Sequence, residues 1–143
     1  MKKGFTLVEL LVAMVIFGIL IAIAYPSYLE YITRARRSDG QSALLDLAGR
    51  MERYYSEHNT YVGATMGTGG ASDIVASNLS PEGWYQLAIT ATAAGYTLEA
   101  RPRNQQSEND TRCQTLTLNN LGVKGIAAGP SGLAPSGPVT RCW

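Results

Sequence analysis

A single carboxylate inside an apolar run constrains this chain more than any other feature. Residues 5–25 read FTLVELLVAMVIFGILIAIAY, and Glu9 is the only strongly polar member of that run. As a helix the run is about 31 Å long, which is enough to cross a bilayer. A carboxylate inside such a helix costs free energy unless something pairs with it, so Glu9 requires a partner.

Two ordinary explanations of the apolar run compete with a segment whose carboxylate has a dedicated partner. A secretory signal peptide also has a basic start and an apolar core, and Ala22-Ile23-Ala24 resembles a small-x-small cleavage site. A carboxylate is out of place in that core, and the run exceeds the usual core length of about 7 to 15 residues. A plain membrane anchor explains the length but leaves Glu9 and the Gly4-Phe5 junction unexplained.

The residues around the run resemble the leader and N-terminal helix of type IV pilins and of type II secretion pseudopilins. The resemblance rests on the basic start Met-Lys-Lys-Gly, the Gly4-Phe5 junction, Glu9, and the absence of further charge before Glu30. It implies a class III leader that a prepilin peptidase cleaves between Gly4 and Phe5, followed by methylation of the new amine on Phe5. It also implies that an inner-membrane assembly platform extracts the subunit into a helical filament of pilins, where Glu9 pairs with the amine of a neighbouring subunit.

The length of the chain predicts one small head domain behind this helix. We expect residues 1–4 to be a cleaved leader and residues 5–28 to be the hydrophobic transmembrane and filament-core helix. Residues 29–143 then form the globular head, which includes the amphipathic half of the helix.

Three places in the helical region have sequences that interrupt helices. Pro26 lacks an amide donor and is expected to kink the helix, and Gly18 weakens a helix by about 1 kcal/mol relative to alanine. In the resembled family, the segment from Gly18 to Pro26 can lose helicity in the filament, which makes both residues candidate assembly positions. Ser38-Asp39-Gly40-Gln41 has the spacing of a capping box that starts a fresh helix, but we predict one continuous helix.

The second half of the predicted helix is amphipathic, with an apolar stripe at helical spacing. The stripe comprises Leu44, Leu47, Ala48, Met51, Tyr54, Tyr55 and His58. Glu30 and Arg34, like Asp46 and Arg50, form i,i+4 pairs in the favourable order. A basic cluster also lies here, formed by Arg34, Arg36 and Arg37. We interpret this cluster as a solvated face or a filament packing contact rather than as a partner site.

Alternating apolar residues in the C-terminal half predict a four-stranded antiparallel sheet. The inward positions are Tyr85, Leu87, Ile89 and Ala91, then Tyr96, Leu98 and Ala100, then Leu116 and Leu118, with a fourth strand at 123–126. Glycine-rich residues 62–83 read as a loop, and residues 127–139 have too much turn chemistry for a regular element. The sheet can bury its apolar face only against the helical stripe, so we expect an α+β fold.

The two cysteines, Cys113 and Cys142, lie in the part of the chain that its N-terminus sends across the membrane. An oxidising compartment makes a disulfide the default there, over two free thiols or half of a metal site. Closing a loop of about thirty residues stabilises a fold by roughly 3.5 kcal/mol in the chain-entropy model.

Several C-terminal motifs resemble the PilE-like minor pilins of type IVa systems. They are the run YTLEA at 96–100 with Pro102, CQTLTLN at 113–119, Gly122, Lys124-Gly125 and the closing Cys142-Trp143. The resemblance implies a minor pilin that moves from the inner membrane to a surface pilus of a Gram-negative bacterium and serves adhesion, twitching motility or DNA uptake. A major pilin and a type II pseudopilin remain the alternatives, although pseudopilins usually lack such a cysteine-bounded region.

The inventory of side chains argues against an enzyme. The single histidine, His58, lies on the apolar stripe, and no cysteine, histidine and carboxylate cluster has metal-ligand spacing. Gly67-Thr68-Gly69-Gly70 lacks the spacing and the following Lys-Ser/Thr pair of a phosphate-binding loop. We therefore expect no catalytic residues, no cofactor and no metal.

A filament-borne DNA receptor is the competing function from a different class. Its candidate phosphate contacts are Arg101, Arg103, Arg112, Lys124 and Arg141. Three acidic residues, Glu99, Glu108 and Asp110, are interleaved with them, and the formal net charge is only +1. DNA is thus a possible partner but not the favoured one, and a continuous positive surface would distinguish a receptor from a structural subunit.

Overall fold

A computed structural model describes residues 4–143 of the chain. The chain divides into two units, one that ends at Arg34 and one that comprises Ala35–Trp143. The elements in order are α1 (Leu7–His58), β1 (Thr65–Met66), β2 (Asp73–Val75), β3 (Tyr85–Ala91), β4 (Tyr96–Pro102), α2 (Asn104–Asn109), β5 (Thr115–Asn119), β6 (Lys124–Ala127) and a 3-10 turn (Val139–Arg141).

The helix α1 is continuous through all three places where its sequence is unfavourable. Its bounds include Gly18, Pro26 and residues 38–41, so the prediction of one helix is confirmed. Ser38 and Gln41 therefore start no fresh helix, and Asp39 between them is buried, where its carboxylate accepts hydrogen bonds from the Ser80 hydroxyl at 2.5 Å and the Glu82 amide at 3.1 Å. The polar residue inside the helix is therefore satisfied by the loop before β3.

Gly40 allows a close approach between α1 and a side chain of the sheet. A Cβ atom at this position would lie 2.9 Å from Cδ2 of Tyr85, whose side chain is fully buried. The ring can therefore lie directly on the helix backbone only because residue 40 has no side chain.

The predicted four-stranded antiparallel sheet is present, and its strands follow chain order, β3-β4-β5-β6. The register pairs Leu98 with Ile89 on one side and with Leu118 on the other. The last strand occupies Lys124–Ala127, one residue later than the sequence predicts.

The core forms between the inner face of the sheet and α1, as the two apolar patterns predict. Its buried apolar residues include Leu44, Leu47, Met51, Tyr85, Leu87, Tyr96, Leu98, Ala100, Leu116 and Leu118. The prediction is wrong for the last turn of the apolar stripe, because Tyr55 and His58 are exposed. Instead, Tyr54 stacks on His58 with ring centroids 4.1 Å apart, and Tyr55 stacks on Tyr61 at 4.5 Å.

The segment 62–83 is more regular than a loop, which corrects the sequence interpretation. Strands β1 and β2 pair in parallel within it. Asp73 organises the pairing, since its carboxylate accepts hydrogen bonds from the Thr65 hydroxyl at 2.6 Å, the Thr68 hydroxyl and amide at 2.8 Å and the Gly69 amide at 2.7 Å. The hydrogen bond from Thr65, with those from Thr68 and Gly69, holds the pKa of Asp73 below its usual value, against the opposing effect of burial.

Two short helical elements were not predicted from the sequence. The helix α2 follows β4 directly, and the 3-10 turn ends at Arg141 and begins at the last residue of a segment predicted to be irregular. Both are too short to show helical periodicity in the sequence.

Candidate functional site

The N-terminal part of α1 presents an apolar surface to its surroundings. The helix is long and apolar enough to cross a membrane, and none of its most apolar window is buried. All of its large apolar side chains from Leu7 to Ile23 are at least 49% exposed. A soluble monomer rarely exposes a continuous apolar surface of this size, so this surface requires lipid or other protein to cover it.

Glu9 lies in the first turn of α1, where Thr6 provides a local partner. The amide of Glu9 donates to the Thr6 hydroxyl oxygen at 3.3 Å, and that hydroxyl lies 3.5 Å from the Glu9 carboxylate. Because α1 begins at Leu7, Thr6 is its N-cap and Glu9 its third residue, the spacing of a capping box. This contact was not predicted, although the pattern Thr-x-x-Glu is visible in the sequence.

The predicted processing and assembly residues lie along the same unit. Phe5 is 84% exposed, and a side chain at Gly4 or Gly18 would meet no other atom within 4 Å. Pro26 lies inside the helix bounds. The bond between Gly4 and Phe5 is therefore sterically open, while the roles assigned to these residues stay predictions.

Cys113 and Cys142 form the predicted disulfide in the second unit. Their Cα atoms are 5.5 Å apart and both residues are buried. The bond closes the segment that contains β5, β6 and the turn-rich residues after them.

A buried ion pair lies beside this disulfide, and it corrects the interpretation of the basic cluster. Arg37 donates from Nε to one Asp110 oxygen at 2.9 Å and from Nη2 to the other at 2.7 Å. Arg37 is only 8% exposed and Asp110 only 1%. Arg37 is therefore neither solvated nor a filament surface, and Asp110 is not a surface acid that would repel DNA.

The ion pair continues into a buried polar network. Gln106 donates to the Tyr85 hydroxyl at 3.0 Å and to Asp110 at 3.2 Å. Burial, with the negative charge of Asp110 nearby, raises the pKa of Tyr85 well above its usual value. The Tyr85 hydroxyl therefore stays protonated in this network.

The other two members of the basic cluster behave differently from each other. The Arg36 guanidinium lies 3.6 Å from the centroid of the Trp84 ring, a packed cation-π contact. Arg34 is exposed and pairs with Glu30 at 3.3 Å, as the i,i+4 spacing predicts.

The five candidate DNA contacts do not share one surface. Arg101 shares the outward face of β4 with Glu99, and the two side chains pair at 2.7 Å. Lys124 pairs across the sheet with Leu118, which faces the core, so Lys124 belongs to the opposite face of the sheet from Arg101. Arg112 and Arg141 are exposed, and each precedes a cysteine of the disulfide.

Arg101 and Arg103 do line one open groove of about 690 Å³. Its other polar side chains are Gln86, Glu99, Asn104 and Ser107, and residues 127–130 also line it. The described residues contain no cluster of three histidine, cysteine or carboxylate side chains that could hold a metal ion. The groove therefore offers guanidinium and amide donors rather than a metal centre.

Comparison with known proteins places these features in a family. A family model described as "Type IV minor pilin ComP, DNA uptake sequence receptor" matches residues 26–117, and a prokaryotic N-terminal methylation motif matches residues 1–25. The fimbrial protein EcpC of Eikenella corrodens is 32% identical over 94 residues, which are 66% of this chain and 57% of that protein. A fimbrial protein of Neisseria meningitidis is 35% identical over 72 residues, or 50% of this chain and 42% of that protein. The chain thus spans about half the length of these curated relatives.

Solved structures support the same fold. A type IV pilin from Shewanella oneidensis aligns with a TM-score of 0.51 and 28% identity, covering 78% of this chain and 97% of that one. The non-core minor pilin PilV of Neisseria meningitidis aligns with the same TM-score at 23% identity, covering 76% and 98%, which supports the fold alone. With the family model matching more than half of its length, the chain belongs to the type IV pilin family, in the group described as type IV minor pilin ComP.

Proposed function

We propose that this chain is a minor pilin, a structural subunit that assembles with other pilins into a type IV pilus. The observation that carries the proposal is the uncovered apolar surface from Leu7 to Ile23, with Glu9 as its only carboxylate. Such a surface is stable when lipid covers it and equally stable when neighbouring helices replace the lipid. The same segment can therefore serve as membrane anchor and as filament core.

The proposed mechanism is assembly and not chemical catalysis. In the precursor the helix spans the inner membrane of a Gram-negative cell, a prepilin peptidase cleaves between Gly4 and Phe5, and the amine on Phe5 is methylated. The assembly platform then moves the subunit into the filament, which emerges at the cell surface. Outside the membrane, hydrophobic burial keeps the segment packed among neighbouring helices. An unpaired Glu9 penalises every axial register in which it does not meet an amine.

Replacing Gly4 with leucine is expected to leave the uncleaved precursor in the membrane, because the peptidase has to approach the backbone closely at that residue. Intact-mass measurement of sheared surface filaments should find the wild-type chain there, without residues 1–4 and with one methyl group added. Gly49→Leu is the matched control, since a side chain at residue 49 would also meet no other atom within 4 Å and Gly49 lies far along the chain from the junction. Normal maturation of the Gly4 variant, or cleavage after Ala24, contradicts the proposed processing.

A DNA-receptor role is the second candidate, and the description of the matched family model favours it. The groove lined by Arg101 and Arg103 supports this role, because guanidinium groups beside amide donors suit phosphate and base edges. Arg101 is already paired with Glu99, so Arg103 is the residue on which we place the phosphate contact.

Changing Arg103 to glutamine is expected to weaken binding of a double-stranded oligonucleotide about fivefold at 0.15 M salt, the contribution of one phosphate contact. The slope of the logarithm of the binding constant against the logarithm of the salt concentration should also become shallower by about 1, the value for one phosphate contact. Titrations of the detergent-solubilised full chain measure both quantities, and Arg53→Gln is the control because Arg53 is exposed outside this groove. If the Arg103 and Arg53 variants bind alike, the groove is not the DNA site.

A further inference from the structure

The helix α1 holds the end of the chain through two side chains that lie one turn apart. Arg37 donates from Nη1 to the carbonyl of Arg141 at 3.3 Å, and Gln41 donates from Nε2 to the carbonyl of Cys142 at 2.8 Å. Residues 136–143 are called the C-terminal segment below. Its two acceptor carbonyls belong to consecutive residues, so the two donors together fix both the position and the direction of the backbone.

The Arg37–Asp110 ion pair touches the backbone next to both cysteines. Asp110 orients the Arg37 guanidinium through two hydrogen bonds, which leaves Nη1 aimed at the carbonyl of Arg141. The Asp110 carboxylate also accepts a hydrogen bond from the amide of Cys113 at 3.3 Å. One buried pair therefore contacts the peptide group before Cys142 and the amide of Cys113, without involving sulfur.

Further contacts of the C-terminal segment are also independent of the disulfide. The amides of Ser136 and Gly137 donate to the carbonyls of Thr111 and Arg112 at 3.2 and 2.9 Å. The Trp143 indole donates to the carbonyl of Gly125 in β6 at 2.9 Å. The segment is thus attached to α1, to the chain before β5 and to the edge strand of the sheet.

We propose that Arg37 and Gln41 are positioning residues that dock the C-terminal segment on α1 without the help of the disulfide. A disulfide acts mainly on the unfolded chain, whereas these hydrogen bonds act on the folded one. Loss of the disulfide therefore lowers the stability of the whole head but leaves the docked segment in place. This property lies beyond the proposed pilus function and does not depend on it.

Hydrogen exchange on the detergent-solubilised full chain tests the proposal. Peptides from β4 report how far the Cys113→Ala/Cys142→Ala variant loses global stability. After correction for that loss, the exchange rates of peptides from the C-terminal segment should stay within about threefold of the wild type. Adding Gln41→Leu to that variant should lower the protection of the segment at least about fivefold, the effect of one lost hydrogen bond, while β4 is unchanged. Gln105→Leu is the matched control, because Gln105 is an exposed glutamine in α2.

Replacing the ion pair by apolar residues gives the second arm. Arg37→Met/Asp110→Leu fills the same space without leaving a charge unpaired, so the sheet should stay protected while the segment exchanges faster. If β4 also exchanges faster in this variant, the comparison of Gln41→Leu with Gln105→Leu alone tests the proposal. The proposal is overturned if the cysteine variant frees the segment while β4 stays protected, or if Gln41→Leu behaves like Gln105→Leu.

Discussion

Replacing Glu9 with alanine is expected to leave the subunit in the membrane and to reduce its incorporation into pili more than about tenfold. In the proposed filament this change leaves the amine of the neighbouring subunit buried and unpaired, and removing one member of a buried ion pair costs roughly 3–5 kcal/mol. Membrane insertion should be intact or slightly favoured, since an apolar helix without a carboxylate enters lipid more easily. The ratio of filament-borne to membrane-borne protein measures the effect separately from expression.

Two control variants sharpen the Glu9 experiment. Glu9→Gln keeps the shape and the polarity of the side chain but removes its charge. Because the proposed register role depends on that charge, incorporation of Glu9→Gln into pili should fall nearly as far as that of Glu9→Ala. Glu30→Ala removes an exposed carboxylate that pairs with Arg34 further along the same helix, and it should assemble normally. An unchanged ratio in Glu9→Ala would falsify the register role and would favour a simple membrane-anchored domain.

Replacing Asp110 with alanine is expected to destabilise the head by roughly 3–5 kcal/mol, because Arg37 then stays buried without its counter-charge. Asp46→Ala removes the carboxylate of an exposed ion pair with Arg50 and should cost less than about 1 kcal/mol. Denaturant unfolding of the solubilised chain, followed by the fluorescence of Trp84 and Trp143, compares the two variants.

A double variant separates the contribution of the unpaired charge to the loss of stability from the contribution of lost packing. The double variant Arg37→Met/Asp110→Leu should recover much of the lost stability, since neither residue then presents an unpaired charge to the core. Equal losses in Asp110→Ala and Asp46→Ala would mean that the buried pair contributes no more than a surface pair.

Periodic patterns predicted the helix and the sheet well, because an apolar face repeats along each element. Leu98 and Leu118 could be assigned to the core from alternation alone, and they pair across β4 and β5. Tyr55 and His58 share the spacing of Leu44 and yet are exposed. Periodicity indicates which face of a helix is apolar but not where the covering sheet ends.

The polar contacts beside the disulfide were beyond sequence reasoning. Arg37 and Asp110 are 73 positions apart, and no local pattern links residues at such a distance. Their charges therefore looked like surface charges, the usual state of arginine and aspartate. The parallel pairing inside 62–83 was hidden for a similar reason, because Asp73 joins residues that read individually as loop formers. By contrast, Thr6 and Glu9 formed a local motif that the sequence displayed, as did the i,i+4 pairs Glu30–Arg34 and Asp46–Arg50.

The strand order has a consequence for the order of events in folding. Each strand from β3 to β6 pairs with the next one along the chain, so the sheet can form progressively during synthesis, N-terminal part first. Cys142 follows β6, and Cys113 precedes β5. Because Cys142 follows β6, the disulfide can close only after the residues of all four strands have been synthesised, when the whole meander is already able to form.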